Sequence, residues 1–268
     1  RSIVSLPMVN HADNAQTMNT VHLYPKNREV GWPFSEKEQP SLDDHNGNVI
    51  SWTIKTEIPA GLKAVQGAQS YVVRDAMSNG IGFAGNLKVY YFAGGVAVEL
   101  VNGSDYSEPV NNGDTSLAIT LLSDGFAKLG GALPSGIDKD AMDRYILYIT
   151  YDTVVNLSEE EFENSVTPEN DVKLNFTNND GTQYENDPDA VVVENYAGLK
   201  LIKKDGANTN LLLPGAQFKV YTKRAEGGTA VDTDSVLKDV NGAELVFTTD
   251  ANGEFFIGGL GTGNYYIV

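Results

Sequence analysis

The chain has 268 residues, 41% of them apolar, no cysteine and a formal net charge of −17. This length suffices for two ordinary domains, each with its own core, and the negative charge would be repelled by nucleic acid and anionic membrane, so neither is an expected partner. No apolar run approaches membrane-spanning length, and a chain without cysteine fits an extracellular protein that does not rely on disulfides, although many cytosolic proteins share that feature.

Twenty-seven glycines and repeated Asn-Gly, Asp-Gly and Asn-Asp turn signals point to an all-β chain. Residues 3–8 read as a strand, followed by a polar stretch from 10 to 19. Next comes Val21-His22-Leu23-Tyr24-Pro25-Lys26-Asn27, an exposed strand that stops at a proline and then presents one lysine. Pro25 has no N–H to give a ladder, so pairing ends there or runs along an edge.

Residues 20–195 read as one domain of strands. Residues 49–58 alternate, with Ile50, Trp52, Ile54 and Ile58 on one face and Ser51, Thr53, Lys55 and Glu57 on the other. Further strands are expected at 69–74, 87–92, 99–101, 117–122 and 144–155, the last rich in Tyr, Ile and Thr. Val172, Leu174 and Phe176 alternate in a closing strand. Asn170 is in phase with them and should point into the core, whereas Asn175 falls on the opposite face. Short helices are expected at 125–129 and 158–164, the second opened by a Ser158/Glu161 capping box. Its cluster Glu159, Glu160, Glu161 and Glu163 reads as a solvated face rather than a metal site, and the turns at 44–48 and 178–181 read as plain turns, so no metal and no cofactor is expected. His11, His22 and His45 have no ligand spacing. Residues 195–198 look like a hinge. Beyond it, strands are expected at 199–205, 213–221, 245–250, 253–257 and 263–268.

Two stretches resemble a known family. Residues 21–27 closely resemble the pilin motif of the backbone subunits of sortase-assembled pili on Gram-positive bacteria. In that family the motif lysine is joined by a sortase to the C-terminal threonine of the next subunit, which implies that role for Lys26, presented by Tyr24, Pro25 and Asn27. The tryptophan often found four residues before the first valine of the motif is Thr17 here. Residues 196–268 resemble the CnaB-type immunoglobulin-like domain through Lys203-Lys204-Asp205, Leu213-Pro214-Gly215-Ala216-Gln217-Phe218, Thr249-Asp250-Ala251-Asn252-Gly253 and Gly263-Asn264-Tyr265-Tyr266. Residues 20–195 resemble the fimbrial isopeptide-forming domain. The resemblance thus implies two tandem immunoglobulin-like, Greek-key β-sandwich domains, the first CnaA-like with short helices. Residues 1–19 would be the end of a preceding domain, whose Leu6-Pro7-Met8 strand is not a sorting signal.

Such domains carry an isopeptide bond between a lysine and an asparagine on their first and last strands, promoted by an acid. For the first domain the resemblance points to Lys37, the first lysine after the motif, to Asn170, and to Asp75 in Tyr71-Val72-Val73-Arg74-Asp75. Lys55 is the rival lysine, although it lies on the face opposite Trp52 and Ile54. In the second domain Lys203 matches the family lysine and is in phase with Leu199 and Leu201. The family's acid and asparagine would lie beyond Val268, so the second sandwich is expected without its closing strand. The expected function is that of a structural, non-enzymatic shaft subunit of an extracellular, cell-wall-anchored pilus. Its expected partners are identical subunits in a head-to-tail polymer, a pilus-specific sortase, minor pilins and host surface ligands. Signal peptide and sorting signal are expected outside this chain. The alternative reading is a surface adhesin that binds a host matrix protein or glycan, and a requirement for Lys26 in polymerisation separates the two.

Overall fold

A computed structural model of the chain describes residues 8–9, 17–18, 33–38, 40–41, 45–59, 61–78, 80–131, 136–194 and 196–268. The chain divides into two compact units, Arg1–Gly31 and Trp32–Val268. In the first, the described residues form an antiparallel pair, β1 (Met8–Val9) and β2 (Thr17–Met18), with Met8 opposite Met18. The motif at 21–27, and with it Lys26, lies outside the described residues.

The second unit begins with two antiparallel sheets laid face to face. One holds β3 (Ser35–Lys37), β4 (His45–Asn46), β5 (Val49–Glu57), β7 (Ile81–Ala93), β8 (Val96–Glu99) and β11 (Ile146–Val155). They are ordered β3-β5-β11-β7-β8, with β4 also on β5. The other holds β6 (Ser70–Met77), β9 (Tyr106–Ser107), β10 (Ser116–Leu121), β12 (Glu169–Thr177), β13 (Gln183–Asn186) and β14 (Val191–Val192). Their order is β13-β12-β6-β10-β9, with β14 also on β12. The period-2 pattern explains the layering. Trp52 and Ile54 of β5 and Ile149 and Tyr151 of β11 face Val73 of β6, Ile119 of β10 and Leu174 of β12, all buried in one core.

The first helix, α1 (Ser123–Leu129), buries Phe126 and Leu129 against this core, and α2 (Glu159–Glu163) has the expected capping box. The strand expected at 99–101 ends earlier. The turn at Gly94-Gly95 starts β8 sooner, and the chain turns away after Leu100 because buried Asp105 accepts a hydrogen bond from the Val101 N–H at 2.8 Å. Asp105 also takes the Lys128 ammonium at 2.5 Å, which ties that turn to α1.

The rest of the unit is a smaller β structure with its own apolar cluster of Val220, Leu237, Phe255, Ile257 and Leu260. It is built from three antiparallel pairs. β15 (Tyr196–Ile202) pairs with β19 (Glu254–Gly261), β16 (Gln217–Phe218) with β18 (Phe247–Thr248), and β17 (Val220–Tyr221) with β20 (Tyr266–Ile267). β19 runs on to Gly261, past the expected end at 257, whereas the run expected at 213–221 divides into β16 and β17 at Lys219, whose N–H and carbonyl pair with Val268.

The two clusters meet along β19. The Gly261 N–H donates to the Gly47 carbonyl at 2.8 Å. Gly47 sits at φ +68°, and a Cβ there would fall 2.5 Å from Leu237, so the β4–β5 turn requires glycine for both conformation and approach. Farther along β19, Phe256 packs on Phe162 of α2, which in turn meets Tyr196 edge-on. Lys200 bridges Glu159 at 2.7 Å and Glu254 at 3.0 Å. Residues 196–198 are therefore packed: the Tyr196 hydroxyl donates to the Val166 carbonyl, and Gly198 lies against the Phe256 ring.

Candidate functional site

At one seam of the sandwich, edge strand β3 closes against the other sheet. The Ser35 amide and hydroxyl both donate to Asn186 Oδ1, at 2.6 and 2.7 Å. Two residues further on, Lys37 turns inward with its side chain 1% exposed. Across the seam β12 lies beside β6, with Asn170 opposite Met77 and Val172 opposite Asp75. Asn170 and Asp75 are thus diagonal neighbours on the inward face, and both are buried.

The structure therefore brings Lys37, Asp75 and Asn170 into one buried site. The Lys37 ammonium donates to Asp75 Oδ2 and, at 3.0 Å, to the Tyr151 hydroxyl. The Asn170 amide nitrogen donates to the same hydroxyl at 2.9 Å. The Trp52 ring lies 5.2 Å from Lys37 Nζ, and its indole N–H is satisfied by Thr153 Oγ1 at 2.8 Å. Asp75 Oδ1 and Asn170 Oδ1 are buried with no hydrogen-bond partner.

Burial decides the electrostatics. Desolvation pulls the Lys37 ammonium down from 10.5 to about 8, against the opposing pull of Asp75. The Asp75 carboxyl is pushed up by the same loss of water, and this outweighs the stabilising Lys37 charge. Desolvation also raises the Tyr151 phenol well above its usual value, so it stays protonated. Burial therefore moves the balance from the charged pair, which dominates in water, toward the neutral pair. A proton on Asp75 Oδ1 would turn one orphan acceptor into a donor and give the second, Asn170 Oδ1, a candidate partner.

The other residues singled out from the sequence lie elsewhere. Lys55 is on the outer face of β5, paired with Glu38 and, at 3.9 Å, Glu36, and those partners hold its ammonium up. Asn175 is on the outer face of β12 and donates to Glu185 at 2.7 Å. Lys203 follows β15, half-buried on the side of Leu199 and Leu201. Sequence reasoning missed Tyr151 as a member of the site. It was legible only as one aromatic among several in a β-rich run, and its place depends on which sheet faces which. Among the described residues no cluster of three His, Asp, Glu or Cys could hold a metal ion, and no helix is long and apolar enough to cross a membrane.

Residues 197–268 match the family described as SpaA, a prealbumin-like fold domain. The whole chain is 31% identical over 280 residues to fimbrial subunit type 1 of Actinomyces viscosus, covering 98% of this chain and 52% of that protein. Nearly the whole chain is thus similar to a fimbrial subunit. The fold agrees with that of the full-length major pilin SpaD of Corynebacterium diphtheriae, at 26% identity and a TM-score of 0.52, over 96% of this chain and 57% of SpaD. The chain spans about half the length of the relatives it matches. Its sandwich seam holds a lysine, an acid and an asparagine on three different strands.

Proposed function

We propose that this chain serves as a structural backbone subunit of a covalently polymerised surface pilus, and that its first sandwich is sealed by an isopeptide bond between Lys37 and Asn170. The observation that carries the reading is the convergence of Lys37, Asp75 and Asn170 in one buried site that joins the first strand of the sandwich to the long strand β12. The chemistry follows from the burial. The Lys37 ammonium passes a proton to Asp75, which leaves a neutral amine. Protonated Asp75 then polarises the Asn170 carbonyl, and Nζ attacks Cγ. Folding holds amine and amide together, which supplies the effective molarity an uncatalysed amide exchange lacks. Ammonia leaves, and the reaction occurs once per chain, so Asp75 promotes a self-reaction without turnover.

Lys26 is the proposed point of sortase attachment to the next subunit, on the strength of the Tyr24-Pro25-Lys26-Asn27 motif. Head-to-tail joining through a single lysine gives an open, heterologous polymer on the cell surface, anchored to the cell wall. Lys203 is the proposed lysine of a second bond in the 196–268 domain, with its partners outside this chain. These domain limits, 20–195 and 196–268, are part of the proposal.

Intact mass under denaturing conditions tests the bond. The reading expects a deficit of one ammonia in the wild type that is absent in Lys37→Ala and Asp75→Ala and present in Lys55→Ala. A deficit lost only in Lys55→Ala would move the bond to β5, and no deficit at all would withdraw it. In cells, Lys26→Ala should abolish the ladder of covalent polymers; a persisting ladder would remove Lys26 from the mechanism.

A further inference from the structure

Resting on that reading, we infer that Tyr151 is a catalytic residue of the cross-linking reaction, its hydroxyl relaying a proton from the attacking lysine nitrogen to the departing asparagine nitrogen. Isopeptide formation poses a proton problem that the lysine, acid and asparagine leave open. When neutral Lys37 Nζ adds to Asn170 Cγ, the new C–N bond makes Nζ cationic, and the carbonyl oxygen, steadied by protonated Asp75, takes the electron pair. The Cγ–Nδ2 bond cannot break at that stage, because an amide anion is too poor a leaving group. One proton must move from Nζ to Nδ2. The two nitrogens are then attached to the same carbon, and a direct transfer would pass through a strained four-membered ring.

The Tyr151 hydroxyl stands where such a transfer needs a third party. It is 3.0 Å from Lys37 Nζ and 2.9 Å from Asn170 Nδ2, so one oxygen is within hydrogen-bond reach of both reacting nitrogens before reaction. Passing through it, the transfer closes a six-membered ring of Nζ, H, O, H, Nδ2 and Cγ. The hydroxyl oxygen accepts the Nζ proton as its own proton goes to Nδ2. The Cγ–Nδ2 bond then breaks, ammonia departs, the carbonyl re-forms, and Tyr151 ends as it began, a neutral phenol. Every proton is accounted for by groups of the chain itself. An ammonium has no electron pair to add to Cγ, so the Lys37 proton must go to Asp75 before attack. The order of events is thereby set: Asp75 is protonated first, and Tyr151 relays second.

The ring itself is held independently of the hydroxyl. It packs on Phe83 at 6.1 Å in the core, so Tyr151→Phe keeps the shape of the site and removes only the relay atom. The test uses full-length chain recovered unfolded and uncross-linked, refolded by dilution, with ammonia loss followed by intact mass over time in H2O and in D2O. Tyr151→Phe should cross-link on the order of 100-fold more slowly than the wild type, the scale of one positioned acid–base group. It should also lose most of the solvent isotope effect, which a merely misplaced amine would retain. The double variants Tyr151→Phe/Asp75→Asn and Asp75→Asn, neither able to react, should give matching near-ultraviolet circular dichroism, so that slow cross-linking is not slow folding. An unchanged rate, an unchanged isotope effect, or a double variant that fails to fold like Asp75→Asn would each overturn the relay while leaving the Lys37–Asn170 bond standing. A wild type that never loses ammonia would overturn the bond, and the relay with it.

Discussion

The substitution Asp75→Asn separates the covalent seal from the packing around it. An amide is close in size to a carboxyl but cannot take up the Lys37 proton, so the sandwich should fold with the bond unmade. The bond closes a loop from position 37 to position 170, about 130 residues. Treated like a disulfide that restricts the unfolded chain, a loop of that size is worth about 5 kcal/mol at 25 °C. Domains of this size shift their melting point by roughly 2–4 °C per kcal/mol, so Asp75→Asn should melt about 10–20 °C below the wild type. Removing the carboxylate also removes the group that holds the Lys37 ammonium up, so the buried amine adds a cost of its own to Asp75→Asn. The assay is urea and thermal unfolding followed by fluorescence of Trp52, which is buried in this core. The uncross-linked variant should also show the steeper urea dependence, since its unfolded chain exposes more surface. The double variant Lys37→Met/Asp75→Asn removes the buried amine and should melt above Asp75→Asn; its remaining deficit against the wild type is the part owed to the missing bond. If Asp75→Asn lacks the bond yet melts within about 3 °C of the wild type, the loop-closure argument fails.

Further outcomes can be checked on the same material. In Asn170→Ala, which cannot cross-link, the folded Lys37 ammonium titrates near 8 and the unfolded one at 10.5. The unfolded state therefore binds more protons between those values, and stability should rise with pH by up to about 1 kcal/mol per unit across the window. Comparison with Lys37→Met/Asn170→Ala isolates this slope, and equal pH profiles would refute the lowered ammonium. Asp105→Ala removes the partner of the Val101 N–H and frees Lys128, so it should cost about 1–3 kcal/mol in urea unfolding, and a loss below about 0.5 kcal/mol would show that water replaces the carboxylate. Gly259→Ala forces a Cβ to 2.5 Å from Val155 at φ +83° and should cost about 2 kcal/mol or more; a neutral result would mean the junction yields freely.

Much of the fold can be read from the chain because period-2 alternation reports directly on a sheet with one buried face. β5 and β12 show it plainly, and the inward phase of Asn170 follows from Val172, Leu174 and Phe176. Lys37 is different. β3 has three residues, too few for a period, so its inward turn depends on the Ser35–Asn186 hydrogen bonds that only the closed seam supplies. Tyr151 escaped notice for a related reason: all ten residues of β11 suit a strand, and nothing local marks one tyrosine as the meeting point of three other strands. Asp105 was equally opaque, because its partners are a backbone N–H and a lysine on a helix. In the 196–268 region the run 213–221 reads as one strand but divides at Lys219 into two-residue pairs with different partners, which the local pattern does not mark.

The junction along β19 has a mechanical consequence. Gly261 is held by the Gly47 turn, while Phe256, five residues earlier, is held by the Phe162 ring. Along a strand those anchors stand roughly 15 Å apart. A joint pinned at one point swivels; a joint pinned at two points so spaced must break one anchor before it can turn. Torque applied to either core is therefore carried into the other, and the two move as one stiff lever.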